Sequence, residues 1–358
     1  MHAPAPVASP DDRTRVLALL RRHGHATVAF QALEADFRYW FDGDDAVVAY
    51  VDTGRAWVAG GEPIAAPERL REVADRFVLA ARAARRRASF FGCEQRFVDA
   101  TAWPAIVLGE QPVWQPGAWD HTLATTPSLR YQLRRARKKG VTVRALRPDE
   151  VAPGSPLRPV IAALGAEWLA ARRMAPMGFL VQLEPLTYPA ERVMIVAERG
   201  GAVVGFLSAI PVHARRRLFI EDVLRGRAAP NGTSELMIDA AMRAAADLEG
   251  VTLGLAPLAG DVPAPLRLAR ALSTPLYDFR GLAAFKHKLR PDRWEPIYLA
   301  APRWAWWALG DGLTAFARGS LIRFGLQTLA HRPGLRLLAI AAALVTAIAV
   351  AVLIATLV

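Results

Sequence analysis

Residues 192 to 255 constrain the fold of this chain more than any other stretch. Arg192 to Glu198 and Val203 to Ile210 read as strands around Arg199-Gly200-Gly201. Adjacent glycines accept the positive φ angles of a tight hairpin turn. Leu218 to Val223 continues as a third strand, within Arg217-Leu-Phe-Ile-Glu-Asp222. A short polar loop, Arg225 to Gly232, then feeds a helix from Glu235 to Ala246, and Val251 to Leu255 reads as another strand. Three strands, a helix and a strand in that order predict a mixed sheet with helices packed against it.

The flanking segments extend this pattern. Ser128 to Lys139 reads as a helix stopped by Gly140, Val141 to Leu146 as a strand, and Val160 to Arg172 as an amphipathic helix. Nearer the start, Arg13 to Leu20 is a short helix. Ala46 to Tyr50 and Ala56 to Ala59 are strands joined by the turn Asp52-Thr53-Gly54. Pro67 to Ala84 places Leu70, Val73, Phe77, Val78 and Ala81 on one helical face. Ser89 to Gly92 and Ala105 to Leu108 read as further strands. The apolar content of 53% supports a substantial core. The single cysteine, Cys93, excludes an intrachain disulfide and a thiolate metal site, and reads as a small buried residue.

The order of elements matches an acyltransferase fold of the N-acetyltransferase type. In coenzyme A enzymes of that fold, the loop at the strand-to-helix junction cradles a pyrophosphate. A helix N-terminus suits that task, because its first amides lack intrahelical partners. Arg225 to Gly232 does not have the cradle's glycine spacing, and Pro230 removes an amide donor. A different acyl donor is therefore expected. Four stretches resemble the C-terminal, cytosolic domain of the bacterial phosphatidylglycerol lysyltransferase family, the lysylphosphatidylglycerol synthases. They are the basic helix Ser128 to Gly140, the motif Glu221-Asp-Val-Leu-Arg225 with Ala229-Pro-Asn-Gly-Thr233, the strand and loop Leu253 to Leu258, and the closing segment. That last segment comprises Leu276 to Leu282, Phe285-Lys-His-Lys288 and Trp294 to Leu299. Together they cover roughly residues 85 to 300. The resemblance implies two acyltransferase-like units in tandem, in an α+β fold with mixed sheets. It further implies transfer of lysine or another amino acid from charged tRNA to a hydroxyl of phosphatidylglycerol, with no cofactor. Typical members also carry a long N-terminal membrane domain that moves the product across the bilayer. No counterpart precedes the matching region, so lipid flipping is not expected.

An aminoacyl ester is already activated. Its transfer to an alcohol needs a positioned hydroxyl, a proton path and stabilisation of the developing oxyanion. Glu221 and Asp222 end the central strand, and simple alternation points them to opposite faces. Either could orient the acceptor, relay a proton or hold the donor's α-ammonium, or it could pair with Arg225 or Arg227 to pin the loop; the resemblance puts Asp222 ahead. Asn231 either caps the helix or donates to the oxyanion. Gly232 permits a close backbone approach. Arg225, Gly232, Thr233, Arg280, Lys286 and Lys288 are the expected substrate-binding residues. Arg130, Arg134, Arg137 and Lys138 fall on one face of the basic helix, a stripe suited to tRNA or lipid phosphate, or to solvent. Histidine spacing offers no metal site, and neither a Gly-x-Ser-x-Gly elbow nor a Walker loop is present. Two other readings stay open: a coenzyme A-dependent N-acyltransferase, and a non-catalytic lipid- or RNA-binding protein of the same fold.

The formal net charge of +12 over 358 residues favours anionic partners, here tRNA, phosphatidylglycerol and an anionic membrane surface. The first ten residues, MHAPAPVASP, are a Pro/Ala tail without a signal peptide's apolar run. Residues 337 to 358 are 22 residues without a charge, long enough to read as a transmembrane helix. His331, Arg332 and Arg336 before them predict a single span in the inner (cytoplasmic) membrane with the body in the cytoplasm. Trp304, Trp306 and Trp307 with Arg318 and Arg323 suit an interfacial segment, or equally packing on the body. The expected organisation is a tail (1–12), two acyltransferase-like units (13–126 and 127–300, the second catalytic), a juxtamembrane segment (301–336) and a transmembrane helix (337–358).

Overall fold

The computed structural model describes residues 9–172, 175–272, 277–303 and 305–331. The chain begins with helix α1 (Pro10–His23), strands β1 (Arg38–Asp42), β2 (Ala46–Asp52) and β3 (Ala56–Gly60), helix α2 (Leu70–Ala83), strand β4 (Arg87–Cys93), helix α3 (Gln95–Thr101) and strand β5 (Ala105–Trp114). Helices α4 (Trp119–Thr125) and α5 (Pro127–Lys138) lead to β6 (Val141–Leu146), α6 (Leu157–Ala170), β7 (Val193–Arg199), β8 (Ala202–Val212), β9 (Arg217–Arg225) and α7 (Thr233–Ala244). The chain continues through β10 (Gly250–Thr252), β11 (Ala256–Pro257), α8 (Ala264–Leu272), α9 (Phe279–Lys288), β12 (Arg293–Ala300), α10 (Ala305–Phe316) and α11 (Leu321–His331).

Local chemistry explains the elements read from sequence. Gly200 and Gly201 adopt φ of 57° and 79°, closing the β7–β8 hairpin as two adjacent glycines should. Asp52 Oδ1 accepts from the Gly54 amide at 2.8 Å and shapes the β2–β3 turn. Helix α2 buries Leu70, Val73, Ala74, Phe77, Val78 and Ala81, the whole predicted stripe. Its Phe77 joins Tyr50, Trp57, Phe90 and Phe97 in an aromatic cluster. Cys93 is fully buried there, as expected of a small residue in Phe-Phe-Gly-Cys, and burial raises its thiol well above the ordinary value.

Two copies of one pattern are visible. In β1-β2-β3-α2-β4 and in β7-β8-β9-α7-β10, an antiparallel meander is followed by a helix that crosses to a parallel neighbour. Each copy then runs through helix to one more strand, β5 or β12. These last strands are exchanged. β12 lies between β4 and β5, while β5 also pairs with β10, giving the order β1-β2-β3-β4-β12-β5-β10-β9-β8-β7-β6. One continuous mixed sheet results, with both halves joined through its centre.

The C-terminal transmembrane helix expected from sequence is corrected here. Among the described residues no helix is long and apolar enough to cross a membrane. The longest have 14 residues, which at a rise of 1.5 Å each give about 21 Å against a hydrocarbon thickness of roughly 30 Å. Residues 337–358, on which the expectation fell, lie outside the described residues. The fold class is α+β with a mixed sheet, and the single-span location in the inner membrane is withdrawn with the helix that supported it. Helix α10 of the expected interfacial segment packs on the body. Its Asp311, 7% exposed, accepts from Arg87 Nε at 3.0 Å and Nη2 at 2.5 Å. Phe316 packs edge-on against Phe91 and Phe179.

Candidate active site

The parallel pair β9–β10 is short. It ends at Phe219 beside Thr252, and Ile220 to Arg225 continue with β8 on one side alone. The chain beyond β10 turns away, and β11 pairs with β5. A cleft therefore opens along one edge of β9. Lys286 props its far wall. That lysine is buried and donates from Nζ to the carbonyls of Leu253, Gly254 and Leu255 at 2.8, 2.7 and 2.8 Å. Burial pushes its pKa down to about 7. The three carbonyls work against that shift, since three N–H donors exist only in the protonated form. Lys286→Met should strand three buried acceptors and lower stability by about 2–4 kcal/mol in urea unfolding. A change within about 0.5 kcal/mol would show that the loop finds other donors.

A cavity of about 620 Å³ lies on the α7 side of the cleft. Gln132 of α5, Trp168 and Arg172, Val223 and Arg225 of β9, Asn231, Gly232, Ser234 and Glu235 at the start of α7, and Phe285 and Lys288 of α9 line it. No side chain caps α7. Its N-cap is Gly232 at φ 96°, and a Cβ there would stand 2.2 Å from the Gln132 carbonyl oxygen. The close approach expected of this glycine is thus made to helix α5. Asn231 does not cap; its Oδ1 accepts from Arg225 Nη1 at 3.3 Å. Lys288 donates to Glu235 at 2.6 Å. Arg172 stacks over Trp168 at 3.5 Å.

The carboxylates of β9 depart from simple alternation. Ser208 pairs with Asp222 and Ala209 with Ile220, so Glu221 is an extra residue in a β-bulge. Ile220 and Val223, three residues apart, both pack toward the α5–α7 core. Glu221 and Asp222 consequently share the other face, away from the α7 cavity, with the open edge of β9 between. There Glu221 pairs with Arg192 at 2.6 Å, both side chains buried. Neither Arg225 nor Arg227 is its partner. Arg192 also donates to Ser208 at 2.9 Å. From the first half, Gln31 Nε2 reaches Glu221 Oε1 at 3.1 Å, and Glu34 stands close by. Burial, with Glu221 adding to it, raises Asp222 well above the usual carboxylate range, and Arg192 opposes the shift. Burial and then Glu221 raise Glu34 to about 10.

The structure brings Arg225, Asn231, Gly232 and Lys288 together at the cavity, and Glu221 and Asp222 behind it. It separates others. Thr233 is buried and its hydroxyl donates to the Pro230 carbonyl at 2.7 Å. Arg280 lines a different cavity of about 390 Å³ with His287 and Phe279. On α5, Arg130 donates to the Leu123 carbonyl at 2.6 Å and to Ala124. Arg137 bonds the buried Asp239 at 3.1 Å. Arg134 and Lys138 remain exposed, without an ion pair among the described residues. Gln31, Glu34 and Arg192 were not read from sequence. Only Arg192, at a strand edge, lay within a segment singled out there.

Mixed sheet, parting parallel strands and a cavity at the following helix define an N-acetyltransferase-like topology. The chain belongs to the family described as phosphatidylglycerol lysyltransferase, C-terminal, an aminoacyltransferase family whose model matches residues 17–301. Among solved structures it resembles the C-terminal domain of an Agrobacterium fabrum protein assigned as a lysylphosphatidylglycerol synthetase, with 24% identity and a TM-score of 0.74 over 87% of this chain and 98% of that one. L-PGS from Bacillus licheniformis gives 19% identity and a TM-score of 0.73 over 88% and 99%. A conserved Bacteroides thetaiotaomicron protein of unknown function gives 13% and 0.57 over 84% and 100%. These likenesses establish the fold. A comparison with curated protein sequences gives no match.

Proposed function

We propose that this chain moves an aminoacyl group from charged tRNA to a hydroxyl of phosphatidylglycerol. The observation that carries the reading is the β9 bulge, which gathers two carboxyl groups behind a cleft whose other side is a cationic cavity at an uncapped helix N-terminus. In this reading Arg172, Arg225, Lys288 and the first α7 amides receive the anionic 3′ end of the tRNA. The ester passes the open edge of β9 to the Asp222 side. There the lipid hydroxyl attacks the ester carbonyl, the bond to the terminal ribose oxygen breaks, and a new ester forms. The hydroxyl proton leaves with that ribose oxygen, relayed by Asp222. A carboxyl raised above its ordinary range is better matched to such a relay near neutrality. Pro230 argues against a pyrophosphate cradle, since it offers no amide there.

Arg134 and Lys138 are the stripe residues left to meet polyanions. Replacing both by alanine should weaken charged and uncharged tRNA alike. The log–log salt slope should shrink by about 0.7–0.9 for each phosphate that the variant no longer neutralises. An unchanged slope would take α5 out of tRNA binding. The reaction itself is tested with a pool of charged tRNAs and phosphatidylglycerol vesicles, followed by mass spectrometry of the lipid. Aminoacylated lipid is the expected product. Its absence, with acyl transfer from acetyl-CoA instead, would overturn the reading.

A further inference from the structure

The α7 cavity is built of more than charge. The last turn of α6 continues through Arg172, whose amide donates to the Leu169 carbonyl at 3.0 Å. Trp168 and Arg172 are therefore four residues apart on one helical face, where side chains meet. The guanidinium carbon stands 3.5 Å from the centre of the indole ring, the spacing of stacked planes in contact. The indole is anchored in turn, since it packs against the core around Ile161, Leu164 and Phe206. Both residues line the cavity, as does Phe285 of α9.

The cations of this cavity differ in their commitments. Lys288 donates to Glu235, and Arg225 to Asn231. Arg172 has no carboxylate partner among the described residues, and burial lowers its pKa with Tyr277 alone opposing the shift. Its guanidinium lies on the indole, so its outer plane is left to the cavity. A bare phosphate would need donors here but no aromatic wall. An acyl chain would need aliphatic walls, and Val223 is the one branched aliphatic residue among the described lining. A heterocyclic base needs planes to stack on, and a guanidinium serves for this as a ring does. The volume of about 620 Å³ lies within the roughly 300–1,000 Å³ of small-ligand sites.

We propose that Arg172, stacked on Trp168, is a platform for a heterocyclic base, so that this cavity reads a nucleobase as well as an anion. The platform stands on these residues alone. Naming the base as the terminal adenine of charged tRNA rests on the aminoacyl-transfer reading. The adenine of coenzyme A offers the same chemistry, and the two sources are separated by direct binding.

Calorimetric titration of the full chain with three ligands tests the platform without lipid or amino acid. They are the ribotrinucleotide CCA, the same trinucleotide with an abasic terminal ribose, and coenzyme A. CCA should bind about 5–150-fold more tightly than the abasic form, the range for one base stacked on a side-chain plane. Arg172→Lys keeps the charge and removes the plane. It should erase most of that ratio while the abasic form binds about as before. A purely phosphate-holding Arg172 would leave the ratio unchanged. Trp168→Leu removes the ring beneath and is expected to shrink the ratio too, and melting profiles verify that both variants fold. Equal binding of CCA and its abasic form, no binding of CCA, or an unaltered ratio in folded Arg172→Lys would overturn the platform. Coenzyme A binding more tightly than CCA, and losing affinity in Arg172→Lys, would keep the platform and overturn charged tRNA as the donor.

Discussion

Asp222→Asn should lower aminoacyl transfer about 10²–10⁴-fold, the usual scale for a positioned acid or base, in a protein that still folds. Asparagine matches the volume and, like a protonated carboxyl, carries a donor. The folded state holds Asp222 well above its ordinary range, through burial first and then Glu221. Its contribution to stability is therefore fullest below the unfolded value and is lost as pH rises toward the folded one. Asparagine has no charge to suppress, so the variant's stability relative to the parent should improve as pH rises from acid. Unfolding midpoints across pH, set beside turnover, separate the two effects. Glu221→Gln is the contrasting case. It breaks a buried pair with Arg192 at 2.6 Å and should cost about 3–5 kcal/mol of stability. Full turnover in folded Asp222→Asn would remove the proton relay from this residue.

Gly232→Ala should be the most damaging single methyl group in the second half. The glycine sits at φ 96°, outside what an L-residue readily adopts. The added carbon would lie 2.2 Å from the Gln132 carbonyl oxygen and 3.0 Å from its carbon, both main-chain atoms of α5. Neither can turn aside as a side chain would. Strain and displacement together should cost about 2–5 kcal/mol, within the range of overpacked cores and strained backbone. Gly117→Ala is the control, because nothing stands within 4 Å of its added carbon. Urea unfolding of both variants checks the contrast. A loss under about 1 kcal/mol for Gly232→Ala would mean that α5 yields without penalty, and that the cavity wall is less fixed than its packing indicates.

Much of the fold was legible because it is local. The β7–β8 hairpin needs only its two glycines, and α2 only its apolar stripe. Strand β6 spans Val141–Leu146, the limits that its residues predict. Strand exchange was not legible, since nothing in β12 itself says that it pairs with β4 and β5 rather than beside β10. The site divides in the same way. The loop before α7 lines a cavity, and Lys288 with Arg225 reaches it. The resemblance around Lys286 makes it a substrate-binding residue, but its ammonium is consumed by three carbonyls of a loop more than 30 residues away. Half of the basic stripe is structural for a similar reason, because Arg137 meets Asp239 across a helix pair. Alternation misplaces Glu221 and Asp222 because a bulge depends on register between two strands, which one strand's residues do not encode. Gln31 lies 190 positions from Glu221 and bears no mark of the pairing.

The central claim is that this cleft passes an aminoacyl group from tRNA to lipid. A single-turnover reaction tests it most directly. Excess protein is mixed with tRNAs charged with radiolabelled amino acids and with phosphatidylglycerol vesicles, and label is followed in tRNA, lipid and free amino acid. The account predicts that label leaving tRNA appears in lipid one for one, unaffected by added coenzyme A, and that Asp222→Asn slows this step. Label that stays on tRNA, or leaves it only as free amino acid at the rate seen without protein, would contradict it.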